Sequence, residues 1–310
     1  SSAGRLLHRD EFYRDGAVIM PADPYYANVS LIVPMEGANN TTTFADLSAA
    51  PKNITRYGDA KISTAQAKWS LGSGYFDGNT DRLEIAHASL QSGTGAFTAE
   101  MLAYIVAHKD YTCLLNTQSG NNNTDGYYWG INGAGKLIIY TSGFAYTGAL
   151  TVPTGSWVHL AMVRSGNTVY FFVGGQKETG TWSTSAAFTG SPAKIGGISW
   201  SAVQSLNGHL QDVRYTLGVA RYTANYTPPG RLTLLYQLVT LSGNATVISG
   251  GGAAQVVIRD VPVRTLIATA TPDVTTGDWT ASVPPGDYDI SYFAPGCQPI
   301  CHGPYTAAPT

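Results

Sequence analysis

Residues 155–175 decide the fold. They read Gly155-Ser156-Trp157-Val158-His159-Leu160-Ala161-Met162-Val163-Arg164, then Ser165-Gly166-Asn167, then Thr168-Val169-Tyr170-Phe171-Phe172-Val173-Gly174-Gly175. Two runs rich in β-branched and aromatic residues flank a Ser-Gly-Asn break. Gly and Asn tolerate the positive φ that a tight reversal needs, so the stretch predicts a β-hairpin. In a strand, Trp157, His159, Ala161 and Val163 share one face, and Val158, Leu160 and Met162 share the other. Both faces are apolar until Arg164. A strand apolar on both faces belongs in the middle of a sheet, covered on each side. The hairpin is therefore expected to be the spine of a β-sandwich.

The same reading extends in both directions. Val29–Val33 predicts a strand, and residues 54–57 and 60–63 flank a Gly58-Asp59 turn. Residues 74–85 read as strand, turn, strand. In 97–106, Phe97, Ala99, Met101, Ala103 and Ile105 fall on one face and Thr98, Glu100, Leu102 and Tyr104 on the other. Strands are expected at 111–115, 127–131 and 136–140, the last two joined by the hairpin turn Asn132-Gly133-Ala134-Gly135. Further strands follow at 193–196 and 208–215. Tandem prolines at 228–229 end the sheet. About a dozen short strands with no helical period argue an all-β sandwich or jelly roll. The expected organisation is an N-terminal arm or linker at 1–24, a jelly-roll domain at 25–232, a small β-sandwich at 233–296 and a tail at 297–310.

Composition narrows the function. Charged residues make up 12% of the 310 positions, about half the usual share, and the net charge is −2. Neither nucleic acid nor an anionic membrane surface would be held by such a chain. It has no apolar run of the ~18 residues that a membrane helix needs, so membrane insertion is not expected. Three cysteines, Cys113, Cys297 and Cys301, are too few for a disulfide framework. The Cys297-x-x-x-Cys301-His302 cluster lacks a fourth zinc ligand.

Residues 25–230 resemble the concanavalin A-like, laminin-G-like jelly-roll domain common in phage virion and tail proteins. The resemblance is carried by Val29-Ser30-Leu31, Tyr75-Phe76-Asp77-Gly78, Phe97-Thr98-Ala99-Glu100 and the Trp157–Arg164 run. The closing Gly208-His209-Leu210-Gln211-Asp212-Val213-Arg214 and Gly218-Val219-Ala220-Arg221-Tyr222-Thr223 carry it most, and the phage association rests on them. Residues 236–293 resemble a transthyretin-like or carboxypeptidase-regulatory-like sandwich through Leu241-Ser242-Gly243, Thr276-Gly277-Asp278-Trp279 and Val283-Pro284-Pro285-Gly286-Asp287-Tyr288. Laminin-G-like domains often hold a structural Ca²⁺. The resemblance implies Glu36 and Asp212 as ligands, with Asp77 in the Tyr-Phe-Asp-Gly turn as a further candidate. Against this stands the simpler role of such carboxylates as acceptors for turn N–H groups.

Catalytic patterns are not found. Glycoside hydrolysis needs two facing carboxylates, and the five glutamates, Glu11, Glu36, Glu84, Glu100 and Glu178, are scattered with no Glu-x-Asp-x-x-Glu strand. No Gly-x-Ser-x-Gly elbow is present. Cys113 reads as a buried apolar side chain, and His159 as a residue packed on Trp157 or hydrogen-bonded across the sheet. Sugar binding is better served. The loop Ser119–Trp129 and the stretch Ile198-Ser199-Trp200 mix aromatics with Asn and Asp, making Tyr127, Tyr128, Trp129 and Trp200 the candidate carbohydrate contacts. The expected function is a non-enzymatic phage virion structural protein, a tail appendage or capsid decoration, displaying a lectin-like jelly roll. Its expected partners are other virion proteins and further copies of itself, with a host-surface glycan as ligand. Its expected place is the particle surface, extracellular after release. The alternative is a glycan-binding host-recognition module, and the third reading a polysaccharide-degrading enzyme.

Overall fold

The computed structural model describes residues 23–230, apart from 70–71, 87, 122–124 and 142–143, together with strand segments at 12–14, 17–19, 239–244, 255–260, 266–271, 278–283, 286–293 and 300–307. Two compact units emerge, Ala27–Thr233 and a second made of Ser1–Tyr26 with Leu234–Thr310.

The first unit is a sandwich of two antiparallel sheets. One holds nine strands. Its main path runs Gln176–Lys177, Thr168–Val173, Trp157–Ser165, Phe97–Ile105, Asn207–Leu217, Ser73–Asp77, Lys61–Ser63. Trp182–Ser183 pairs with Thr168–Val173, and Val29–Val33 with Asn207–Leu217. The other sheet holds seven, in the order Phe144–Thr151, Lys136–Thr141, Tyr128–Ile131, Thr112–Asn116, Ala193–Ile195, Arg82–Ile85, Thr55–Tyr57. The hairpin expected at 155–175 is present, with Ser165 opposite Thr168 and Gly166 at φ +58° in its turn. Trp157–Ser165 lies inside the nine-stranded sheet, as its two apolar faces require. The segments around Gly58 and Gly78 differ from simple hairpins. In each, the turn carries the chain from one sheet to the other, so the flanking strands face across the core rather than pair. Glycine suits both turns, at φ +69° and +88°.

Period-two alternation fills the core. Phe97, Ala99, Met101, Ala103 and Ile105 are all buried between the sheets, with Leu160, Met162, Leu137, Ile139, Trp129 and Tyr215. Phe97 stacks on Tyr127 at 5.7 Å and on Tyr215 at 5.4 Å. Strand Asn207–Leu217 keeps Leu210 and Val213 both inward, although they stand three residues apart. A bulge between Gln211 and Arg214, with Asp212 at φ +51°, resets the alternation.

The opposite face of the nine-stranded sheet is closed by residues 218–229. This strap is tied down by Gly218 N–H to Ala96 O (2.8 Å), Arg221 N–H to Thr98 Oγ1 (3.0 Å) and Tyr226 N–H to Gly175 O (3.0 Å). It seals a buried carboxylate. Glu100 accepts from Arg214 Nε (2.9 Å), Tyr222 Oη (2.9 Å) and His159 Nε2 (3.2 Å). Since a carboxylate only accepts, His159 carries a proton on Nε2, and its Nδ1 stands 3.0 Å from Tyr226 Oη. Burial alone would raise the Glu100 pKa. The guanidinium of Arg214 and the hydrogen bond from His159 overcome that and hold it well below the usual carboxylate range.

In the second unit, Phe12–Arg14 pairs with Ala17–Ile19, and Val239–Asn244 with Asp278–Val283. A four-stranded sheet has the order Leu266–Ala270, Gln255–Asp260, Gly286–Phe293, Ile300–Ala307. Ile258, Trp279 and Ile290 are buried. The last strand runs through the stretch expected as a tail and contains Cys301 and His302, whereas Cys297 lies outside the described residues. Among the described residues no helix is long and apolar enough to cross a membrane.

Candidate functional site

The outer face of the seven-stranded sheet carries the site. On Tyr128–Ile131 the alternation sends Trp129 and Ile131 into the core and Tyr128 outward. The hairpin turn at 132–135 fixes Tyr128 opposite Tyr140, and Tyr128 is in turn opposite Asn116. Asn116 faces Lys194, and Lys194 faces Glu84, so one row of side chains crosses the outer face. Cys113, Tyr128, Ile138 and Ile198 form a small apolar cluster there, with Tyr140 and Trp200 packed on it. Burial pushes the Cys113 thiol up, which makes it an inert packing group.

Over this cluster opens a cleft of about 170 Å³. Its aromatic walls are Tyr111, Tyr128, Tyr140 and Trp200, and its polar groups are the carboxamides of Gln118, Asn121 and Gln204. Tyr111 is 46% exposed, and Tyr140 and Trp200 are half-buried. Tyr111 sits at φ +61°, a conformation that costs a bulky L-residue energy. The Tyr128 hydroxyl donates to its carbonyl and holds it there. The rings of Tyr111 and Tyr140 are 5.7 Å apart and those of Tyr128 and Tyr140 6.1 Å. Lys194, fully buried, donates from Nζ to the carbonyls of Gln118 (2.7 Å) and Pro192 (3.1 Å) and lies 5.4 Å from the Trp200 ring. It thereby ties together the two loops that supply the cleft, and burial lowers its pKa. Gln118 accepts from Asn116 Nδ2 at 3.2 Å, which fixes its carboxamide.

Of the four expected sugar contacts, Tyr128 and Trp200 meet in this cleft. Tyr127 and Trp129 do not. Both are fully buried between the sheets, because residues 127 and 129 share the inward parity of the strand. Asn121 comes from the loop Ser119–Trp129 already expected to contact sugar, whereas Tyr111, Tyr140, Gln118 and Gln204 were not singled out. Tyr140 could have been, since the Asn132–Gly135 turn sets it opposite Tyr128.

Of the three expected metal ligands, Asp77 stands apart from Glu36 and Asp212. Asp212 is buried in the bulge, where its Oδ2 accepts from Trp69 Nε1 at 3.1 Å. Glu36 lies beside it, accepting from Gln211 Nε2 at 3.2 Å. Asp77 is in an exposed turn, where it accepts Asn79 N–H at 2.7 Å. It pairs with Asn207, five residues or roughly 16 Å along the strand from Asp212. The strand direction thus separates the further candidate, Asp77, from the other two. Among the described residues no group of three His, Cys, Asp or Glu stands close enough to hold a metal ion.

Comparison with known proteins agrees with the architecture. Residues 77–216 match the family Laminin_G_3, described as the concanavalin A-like lectin/glucanases superfamily. No curated protein sequence matches the chain. Among solved structures, domain 4 of AbnA, an extracellular arabinanase of Geobacillus stearothermophilus in complex with arabinotriose, is 15% identical. The match covers 62% of this chain and 94% of that one, with a TM-score of 0.48. The binding domain of Paraclostridial Mosquitocidal Protein 1 is 11% identical over 86% of this chain and 76% of that one, with a TM-score of 0.49. The two-sheet topology and the family match over residues 77–216 together show a jelly-roll sandwich of the concanavalin A-like fold.

Proposed function

We propose that the chain is a non-catalytic glycan-binding module whose combining site is the cleft on the seven-stranded sheet. The observation that carries this reading is the convergence of Tyr111, Tyr140 and Trp200 with three carboxamides over a firm apolar floor. Aromatic faces offer apolar platforms to the C–H faces of a sugar ring, and carboxamides both donate to and accept from its hydroxyls. No carboxylate stands among the described lining residues, which supports a binding reading over a glycosidase one.

The setting we propose is a phage particle surface, with the chain as tail appendage or capsid decoration. Its support is the closing motif at 208–223. Residues 1–24 and a transthyretin-like 233–296 would there serve as contacts to other virion subunits or further copies of the chain. Isothermal titration of the full chain against a panel of host-surface glycans tests the binding reading. Saturable binding weakened about tenfold or more by Trp200→Ala and by Tyr111→Ala is expected. Binding untouched by both substitutions would place the combining site elsewhere.

A further inference from the structure

We infer that the cleft takes one uncharged sugar ring, the end or an exposed residue of a neutral glycan, and rejects acidic sugars; this rests on the glycan-binding reading above. Among the described residues the walls are phenol, indole and carboxamide. The sequence around them is uncharged as well, since neither 111–124 nor 198–206 contains Asp, Glu, Lys or Arg.

Charged groups on the adjoining segments are engaged elsewhere, and Asp110, next to Tyr111, accepts Gly133 N–H at 3.0 Å. Asp125 accepts both the N–H (3.2 Å) and the hydroxyl of Ser119. Lys194 is buried behind Trp200, with its ammonium on two backbone carbonyls. A sugar carboxylate or sulfate is ordinarily held by a guanidinium fork or an ammonium. In this cleft it would lose its water shell and gain only neutral partners, a costly exchange. Hydroxyls lose little, because each carboxamide supplies a matching donor and acceptor.

Size sets the length of the epitope. A cleft of about 170 Å³ is smaller than the roughly 300–1,000 Å³ of sites that enclose drug-sized ligands. One ring fills it, and the remainder of a chain must run out into solvent. Contact with a single ring is weak per site, so firm attachment to a surface requires several copies acting together.

The test is saturation-transfer NMR and calorimetry on the full chain at about 0.05 and 0.5 M NaCl. The neutral probes are maltotriose, cellotriose, mannotriose and tri-N-acetylchitotriose. The acidic ones are sialyllactose and trigalacturonate. At least one neutral probe should bind, with saturation concentrated on one ring and affinity changing less than about twofold with salt. Trp200→Ala should weaken it about tenfold or more. Binding confined to the acidic probes, or an epitope spread over three rings, overturns this inference and leaves the cleft as a glycan site. Neutral binding that survives Trp200→Ala combined with Tyr140→Ala overturns both readings, as does a folded protein that binds no probe.

Discussion

Replacing Glu100 by Gln should be among the most damaging isosteric changes available to the jelly roll. The carboxylate is fully buried, and Arg214 lies against it at 2.8 Å with 2% of its own surface exposed. Arg221 Nε is 3.7 Å away. A neutral carboxamide leaves the Arg214 guanidinium buried without its counter-charge. It also turns an N–H either toward the guanidinium, where a donor faces a donor, or toward His159 and Tyr222, which must then give up their present donor roles. Breaking a buried ion pair from one side costs about 3–5 kcal/mol. At ~2–4 °C per kcal/mol for a unit of this size, the jelly roll should melt roughly 6–20 °C lower. Thermal unfolding of the full chain, followed by tryptophan fluorescence, measures this. Adding Arg214→Met removes the orphaned cation and should return at least about 1 kcal/mol. Because the folded pKa of Glu100 is depressed, its contribution is complete above the unfolded value of about 4.3 and is lost as pH falls further toward the folded one. Glu100→Gln should therefore flatten the acid limb of the stability profile below about pH 4.3. A loss under about 1 kcal/mol at neutral pH, with the acid limb unchanged, would refute the claim that Glu100 is the buried counter-charge of Arg214.

Two further substitutions probe the architecture. Arg164 is fully buried and has its guanidinium on four carbonyls, those of Gly166, Gly93, Ala186 and Thr184, at 2.8–3.1 Å. Arg164→Met strips the donors from these buried acceptors, at about 1–3 kcal/mol each where water cannot replace them. Arg164→Lys should recover less than half of the loss, because an ammonium cannot reproduce the fork; denaturant midpoints compare the two. Tyr128→Phe removes the hydroxyl that holds the Tyr111 carbonyl. It should lower stability by about 1 kcal/mol and weaken any ligand that Tyr111 contacts, as calorimetry would show, while a stability loss without change in affinity would exclude Tyr111 from the combining surface.

The sandwich was legible because its strands obey period two almost without interruption. Residues 97–105 alternate perfectly, and the hairpin at 155–175 announces a central strand by having no polar face. What escaped was information that lives between strands. The Gly58 and Gly78 turns look like hairpin turns locally, and only the closed sandwich shows that they change sheets. The bulge at Asp212 depends on two neighbouring strands and leaves no local pattern. Parity alone would have separated Tyr128 from Tyr127 and Trp129, whereas the composition of the loop grouped all three. Tyr111 and Gln204 come from segments that touch only after both loops fold over the sheet, so no spacing in the chain reveals them.

The two outer faces also explain why the cleft lies where it does. Each begins as a sheet surface with aromatic side chains standing out from it. On the nine-stranded sheet those rings are covered by the chain itself. Tyr222 and Tyr226 stack at 3.6 Å and pack edge-on against Phe172, and the strap that carries them also buries Glu100 and His159. There the hydroxyls of Tyr222 and Tyr226 are already paired, with Glu100 and His159. On the seven-stranded sheet the covering loops stop short. Lys194 pins Gln118 and lies behind Trp200, yet Tyr111, Tyr140 and Trp200 keep part of their surface in water. Held rings beside fixed carboxamides lose little further freedom when a ligand arrives, which is the condition under which a small contact area can bind at all. Freeing Lys194 from its carbonyls should therefore weaken the site by loosening it, without touching the ligand.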